Sequence, residues 1–344
     1  MNHDKEFEYL CVDDFLGDII YTRALTTAFE TGLIDALIRS KSLLYQSLME
    51  KKGEDNRGMR LLLDLLQVNR IIDNCDGAIS LTEEFVHALK FRDLLELKCA
   101  LANLAAHDFL DHFSDLIYRP DQFFHEAKFF RLFSYDRCFS RSKEDYETTK
   151  RWMRITTTLT KYESLVCMKY YDFGRHKRIL DIGGNSGEFV LQICRKYPEL
   201  QAAVFDLPLV CDIAEEHIQC EAESKRISFA QGNALNDTLP GGFDLITFKS
   251  MLHDWPEKEA AQFIKNASQS LTPGGVLLIF ERESIAALRE SLSYSMLPFL
   301  LFTHFFRLPT FYEKQLEGLD FQDITVTKIS LDTQFFIVMA KKKL

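Results

Sequence analysis

No two cysteines in this chain are spaced as C-x-x-C. The eight, Cys11, Cys75, Cys99, Cys138, Cys167, Cys194, Cys211 and Cys220, are scattered. Neither a zinc knuckle nor a redox pair is indicated, and a reducing cytoplasm is the expected compartment. Basic residues are not in excess: 51 Asp and Glu against 41 Lys and Arg leave a formal charge of -10. That balance argues against a nucleic-acid partner. No apolar run is long enough to span a bilayer. The best one, Met296 to Phe306, is short and contains Pro298 and His304, so no membrane partner is expected. Met1 to Glu6 shows no basic segment leading into an apolar one, so no secretion signal is expected.

What is present is an ordinary globular make-up, 47% hydrophobic and 27% charged over 344 residues, enough for two domains. The chain is organised around Ile179-Leu180-Asp181-Ile182-Gly183-Gly184-Asn185-Ser186-Gly187, which runs into a helical pattern from Glu188. It reads as strand, tight turn, helix, with glycines that let the backbone turn and a ligand approach. The dinucleotide fingerprint G-x-G-x-x-G fails here, because from Gly183 it needs glycines where Asn185 and Glu188 stand. An acid just before the glycines suits a ligand with positive charge, such as an ammonium or a sulfonium.

The first 145 residues read as helical. Ala24, Leu25, Ala28, Phe29, Leu33 and Leu37 keep helical spacing, interrupted at Gly32. Leu43, Leu44, Leu48 and Met49 suggest a second short helix and Leu61 to Val68 a third. Asp73 to Gly77 reads as a hairpin turn before Ile79, and Thr82 as a helix cap. Three helices and a hairpin form a winged-helix pattern. Its supposed recognition stretch, Glu54 to Leu66, sets Arg57 and Arg60 against Glu54, Asp55 and Asp64, so it offers no basic stripe for DNA. A dimer interface and one wall of a substrate pocket fit better. Phe123 to Phe139 is strongly aromatic, which suits core filling at a domain seam or a pocket for a flat substrate. Arg131, Arg137 and Arg141 sit among these rings; Arg137 could grip a carboxylate or form a structural pair. A helix from Asp145 to about Tyr171 reads as the link between domains.

Beyond the turn, strands and helices alternate. Apolar runs at 202–206, 227–230, 243–249, 276–280, 324–326 and 335–339 join the strand at 179–182. The last two are close enough to pair antiparallel, and Lys341 to Lys343 reads as a solvated tail. The expectation is a doubly wound α/β fold, a mostly parallel seven-stranded sheet covered by helices on both faces. Ligands in such sheets sit beyond the carboxyl ends of the strands, where Asp181, Asp206, Asn233, Lys249, His253, Asp254 and Glu281 fall. Asp206 lies 25 residues past Asp181, placed to accept from ribose hydroxyls.

Asp181 to Gly187, Asp206-Leu207-Pro208 and Lys249-Ser250-Met251-Leu252-His253-Asp254-Trp255 together resemble class I S-adenosylmethionine-dependent methyltransferases. More narrowly, they resemble the caffeate, hydroxyindole and antibiotic O-methyltransferases. The resemblance implies a Rossmann-like methyltransferase fold, with a winged-helix dimerisation domain over 1–145, a linking helix over 146–172 and a cofactor-binding catalytic domain over 173–344. It implies a homodimer and S-adenosyl-L-methionine as cofactor. Asp181, Gly183 and Gly187 would line its methionine end, Asp206 would take its ribose hydroxyls, Lys249 would sit near its polar end, Asn233 would lie beside its adenine where the family usually has an acid, and Gly184, Leu207 and Ala234 would also belong to the cofactor-binding set. His253 would be the general base, with Asp254 beside it and Glu281 orienting it. The family's second Glu, shortly after an Arg-Thr pair, is absent: Leu308-Pro309-Thr310-Phe311 follow Arg307, and Glu313 is the nearest acid.

A second reading comes from His304, 51 residues beyond His253. If its loop folds over the fourth strand, His253, Asp254 and His304 could hold a metal ion that stabilises the enolate of a 2-oxo acid for C-methylation. Arg137 would then hold the carboxylate. This is similar to the 2-oxo-acid C-methyltransferases of the same fold.

Overall fold

The computed structural model describes residues 6–50, 56–140, 142–284 and 292–344. Met1 to Lys5, Glu54, Asp55 and Arg141 lie outside the described residues. The helices are α1 (Ile19–Glu30), α2 (Leu33–Ser40), α3 (Tyr45–Met49), α4 (Asn56–Val68), α5 (Glu83–Ala88), α6 (Arg92–Tyr118), α7 (Pro120–Glu126), α8 (Lys143–Tyr170), α9 (Glu188–Lys196), α10 (Pro208–Ile218), α11 (Glu257–Ser270), α12 (Leu297–Leu301) and α13 (Pro309–Glu317). The strands are β1 (Ser42–Leu44), β2 (Ile72–Cys75), β3 (Ala78–Leu81), β4 (Arg178–Ile182), β5 (Gln201–Asp206), β6 (Ile227–Gln231), β7 (Phe243–Lys249), β8 (Leu271–Arg282), β9 (Phe321–Ser330) and β10 (Gln334–Lys342). No described helix is long and apolar enough to cross a membrane.

The described residues within Met1–Glu126 and Leu288–Leu301 form one compact unit; those within Ala127–Ala287 and Phe302–Leu344 form another. The division falls within the aromatic stretch, between Glu126 and Ala127. Phe129 and Phe133 pack edge-on against Phe302, and Phe133 against Trp152, which ties the later part of that stretch to the second unit. The long helix α8 belongs to the second unit as well.

In the first unit Asp18 caps α1, accepting from the amides of Ile20 and Tyr21. Gly32, at φ 71°, separates α1 from α2. The hairpin β2–β3 turns through Asp76 and Gly77, both at positive φ. Thr82 caps α5 by accepting from the Phe85 amide at 3.1 Å. Leu43 and Leu44 are strand, not helix: β1 adds antiparallel to β3 and completes a three-stranded sheet. Pairing with β3 overrides local propensity over so short a stretch.

The second unit is a seven-stranded sheet in the order β6-β5-β4-β7-β8-β10-β9. Strands β6 to β8 run parallel, and β10 pairs antiparallel with both β8 and β9. The order reverses between β4 and β7, which is where ligand crevices open in such sheets. Helix α11 turns Ala260, Phe263, Ile264 and Ala267 into the core at helical spacing. Two details depart from the sequence reading. β8 begins before the apolar run at 276–280 and includes Thr272 to Gly275, where it takes up the irregularity with a register shift opposite Phe243 and Leu245 and with Gly274 at φ 72°. Lys342 is no solvated tail either, because its ammonium donates to the carbonyls of Ser268 and Leu271 at 2.6 and 2.7 Å. It thereby caps the carboxyl end of α11.

Candidate active site

After β4 the backbone takes positive φ at Gly183 (67°), Asn185 (54°) and Gly187 (75°). Gly183 is required twice over. Its φ disfavours any side chain, and a Cβ there would come within 2.5 Å of Met251 Cγ. Asn185 was not flagged by the sequence, although Asn is the non-glycine residue that most readily adopts this conformation. Its amide donates to Asp206 Oδ2 at 2.8 Å and the Leu207 amide to Asp206 Oδ1 at 2.7 Å, so the two acid-bearing turns are joined. Helix α8 supports this turn from outside. Thr156 Oγ1 donates to Asn185 Oδ1 at 3.0 Å, and Thr157 and Ser186 hydroxyls lie 2.7 Å apart. The stripe Thr156, Thr160 and Glu163 was legible as one helix face by its spacing.

Asp181 is fully enclosed and accepts from Thr247 Oγ1 at 2.6 Å. Burial pushes its carboxyl up to about 7 despite that bond. Asp206 is pushed up to about 6, also by burial, against its two amide donors. Asn233 donates its amide to Asp237 Oδ2 and accepts from the Leu235 amide, and Ala234 beside it is buried. Lys249 is held from α8. Its ammonium lies 2.5 Å from Glu163 Oε2 and donates to Thr160 Oγ1 at 2.9 Å, so its charge is met by α8. Glu163 also accepts from Arg282, which in turn reaches Asp332 and Thr333.

Beyond β7, the turn Leu252–Asp254 presents His253, which is buried. Glu281, near the end of β8 and with no exposed surface, holds it from one side. Glu281 Oε2 is 2.5 Å from His253 Nδ1, while Oε1 accepts from the amides of Met251 and Leu252 at 2.9 and 2.8 Å. On the other side Asp254 Oδ1 stands 3.3 Å from His253 Nε2. Burial by itself would drive the imidazole down, but Glu281 and Asp254 outweigh it and the net shift is upward. Asp254 is raised by burial, with His253 and Tyr135 pulling the other way. Arg307 donates to the carbonyls of Leu252 and Trp255 and so clamps the turn's backbone.

Phe302 and Phe306 border the imidazole, with centroids 6.0 and 5.1 Å away. The Phe306 amide donates to the Phe302 carbonyl at 3.2 Å, so both rings leave one side of a single helical turn. His304, midway along that turn, is exposed. His253, Asp254 and His304 do not converge: among the described residues, the one cluster of at least three potential ligands within 4.8 Å is His112, Asp115 and Glu126, in the first unit. The expected three-residue metal site is thus corrected, since phenylalanines take the places facing His253. Arg137 is held within the protein, the structural alternative for it. Its guanidinium donates to Thr149 Oγ1 at 3.1 Å and to the carbonyls of Arg131 and Leu132, and it lies over the Trp152 ring. It braces the aromatic segment from within.

The chain matches the family model of the O-methyltransferase domain over residues 115–306. It belongs to that family. The 3-hydroxy-5-methyl-1-naphthoate 3-O-methyltransferase of Streptomyces sahachiroi is 36% identical over 110 residues, 32% of this chain and 32% of that one. That alignment spans about a third of the relative's length. The acetylserotonin O-methyltransferase of Gallus gallus is 22% identical over 294 residues, 82% of each chain. The solved structure of human N-acetylserotonin methyltransferase in complex with SAM shares the fold of this O-methyltransferase-family chain, at TM-score 0.64 and 19% identity over 100% of both.

Proposed function

We propose that this chain transfers a methyl group from S-adenosyl-L-methionine to a hydroxyl of a small aromatic molecule, with His253 as general base. One observation carries the reading: the closed sequence of bonds from the Met251 and Leu252 amides through Glu281 to His253 Nδ1. A carboxylate on Nδ1 keeps the proton there and leaves Nε2 to accept one from a substrate hydroxyl. The developing imidazolium is then met by carboxylates on both sides. When bound, S-adenosyl-L-methionine supplies a methyl carbon on an already positive sulfur. The chain's own work is to align the reactants and remove a proton.

The residues present fit that cofactor. Each Asp206 oxygen accepts one backbone amide, which leaves a lone pair on each for a ribose diol. Asp181 and the positive-φ turn at Gly183, Gly184 and Gly187 would hold the methionine end. Leu207 would border the ribose, and Asn233 with Ala234 the adenine. Phe129, Phe130, Phe133 and Phe302 form a contiguous ring cluster beside His253, suited to a flat aromatic acceptor. In the Asp206→Ala variant, cofactor binding measured by calorimetry should weaken by about 1.5–3 kcal/mol, the range for a hydrogen bond to a charged group. Affinity equal to the parent chain's would remove the ribose role, and no methyl transfer to any of a panel of phenols and hydroxyindoles would remove the activity.

The first unit supports a homodimer. Leu110, Phe113 and Ile117 lie on α6, on either side of its kink at His112, and each is more than half exposed. Sedimentation should therefore give the mass of two chains, and a single-chain mass at high concentration would refute the pairing.

A further inference from the structure

We propose that Tyr135 is a positioning residue for methyl transfer, acting through Asp254 to set the second carboxylate that His253 faces. The proposal rests on the reading of His253 as the base. Tyr135 Oη donates to Asp254 Oδ2 at 2.5 Å, and the other carboxylate oxygen of Asp254 stands 3.3 Å from His253 Nε2. One oxygen is thus held so that the other points at the nitrogen meant to take the substrate proton. Asp254 lies on a short turn, and its side chain has two rotatable bonds. Without a second anchor its carboxylate can swing away from the imidazole. Tyr135 is itself fixed by its ring, which stacks on Trp255 at 5.6 Å with 12° between planes and meets Trp152 edge-on at 5.6 Å. Trp255 follows Asp254 directly, so one tyrosine pins the same turn by its ring and by its hydroxyl.

The two functions are separable. Tyr135→Phe keeps the ring stack and removes only the hydroxyl. The charged groups that bear on His253 are Glu281 and Arg282 on β8 and Asp254 on the turn; Asp206 also bears on Tyr135. Of these, only Asp254 loses a partner in the variant. With its donor gone, Asp254 is more easily protonated and less well aimed, so it supports the imidazolium less. The acidic limb of the kcat profile should then move to lower pH. Turnover near neutrality should fall by about tenfold, in keeping with the loss of one hydrogen bond to a charged group. The KM for the methyl donor should not change.

The experiment is a double-mutant cycle of Tyr135→Phe and Asp254→Asn, with kcat measured across pH and thermal melting recorded for each variant. The expected result is that the double variant is no slower than Asp254→Asn alone, because the tyrosine acts through the aspartate. Losses that multiply, or a Tyr135→Phe enzyme with the parent rate and pH limb beside an inactive His253→Ala, would overturn the positioning role alone. Full activity in His253→Ala would overturn the base reading and this proposal with it.

Discussion

His253→Ala is expected to lower kcat by about a hundredfold or more, the usual contribution of a positioned general base. The effect should lie in turnover, with cofactor affinity unchanged, because Asp206 and the turn after β4 are built on other strands. The parent enzyme's pH profile provides an independent check. Only the neutral imidazole accepts a proton, and Glu281 with Asp254 raises the pH at which it becomes neutral. The rate should therefore climb with pH through a limb displaced above the ordinary histidine value of about 6.5. A limb below that value, or one that persists in the alanine variant, would place the base elsewhere.

Glu163→Gln is expected to cost about 3–5 kcal/mol of stability, the effect of removing one partner from a buried ion pair. Glu163, Lys249 and Arg282 have side chains less than a tenth exposed. Arg282 would keep Asp332 and Thr333, whereas Lys249 would keep only the Thr160 hydroxyl as a partner in the network described above. The loss should therefore come chiefly from the stranded lysine. Adding Lys249→Met should recover much of it, since replacing both partners avoids a buried unpaired charge. The two tryptophans of the chain, Trp152 and Trp255, both lie in the second unit, so their fluorescence in urea reports on that unit's unfolding. An unshifted midpoint in Glu163→Gln would mean that the network adds nothing to stability.

Much of the candidate site was legible because its members fall at or near the ends of parallel strands. Asp206, Lys249 and Glu281 each close an apolar run, and Asp181 stands one residue before the end of another; a parallel sheet sends all such ends to one edge. His253 follows from the same logic, standing one short turn after β7. The residues that were less legible carry long, mobile or ambivalent side chains. Arg137 and Lys342 can each reach several partners from one backbone position, and those partners lie anywhere from 5 residues away, as Leu132 does from Arg137, to 74, as Ser268 does from Lys342. His304 failed for a local reason, because the phase of a single turn gave the positions facing His253 to Phe302 and Phe306.

From β4 onward the order of strands and helices, the glycine turn and the edge on which polar groups gather were determined by the sequence alone. Each depends on contiguous residues whose periodicity and conformational limits act over one or two turns of chain. Which carboxylate meets which cation, and which hydroxyl steadies Asp254, was decided only by the tertiary structure. Tyr135 and Asp254 stand 119 residues apart, as do Glu163 and Arg282. Such pairings arise when packed elements exclude water and each buried polar group must find a partner within about 3 Å.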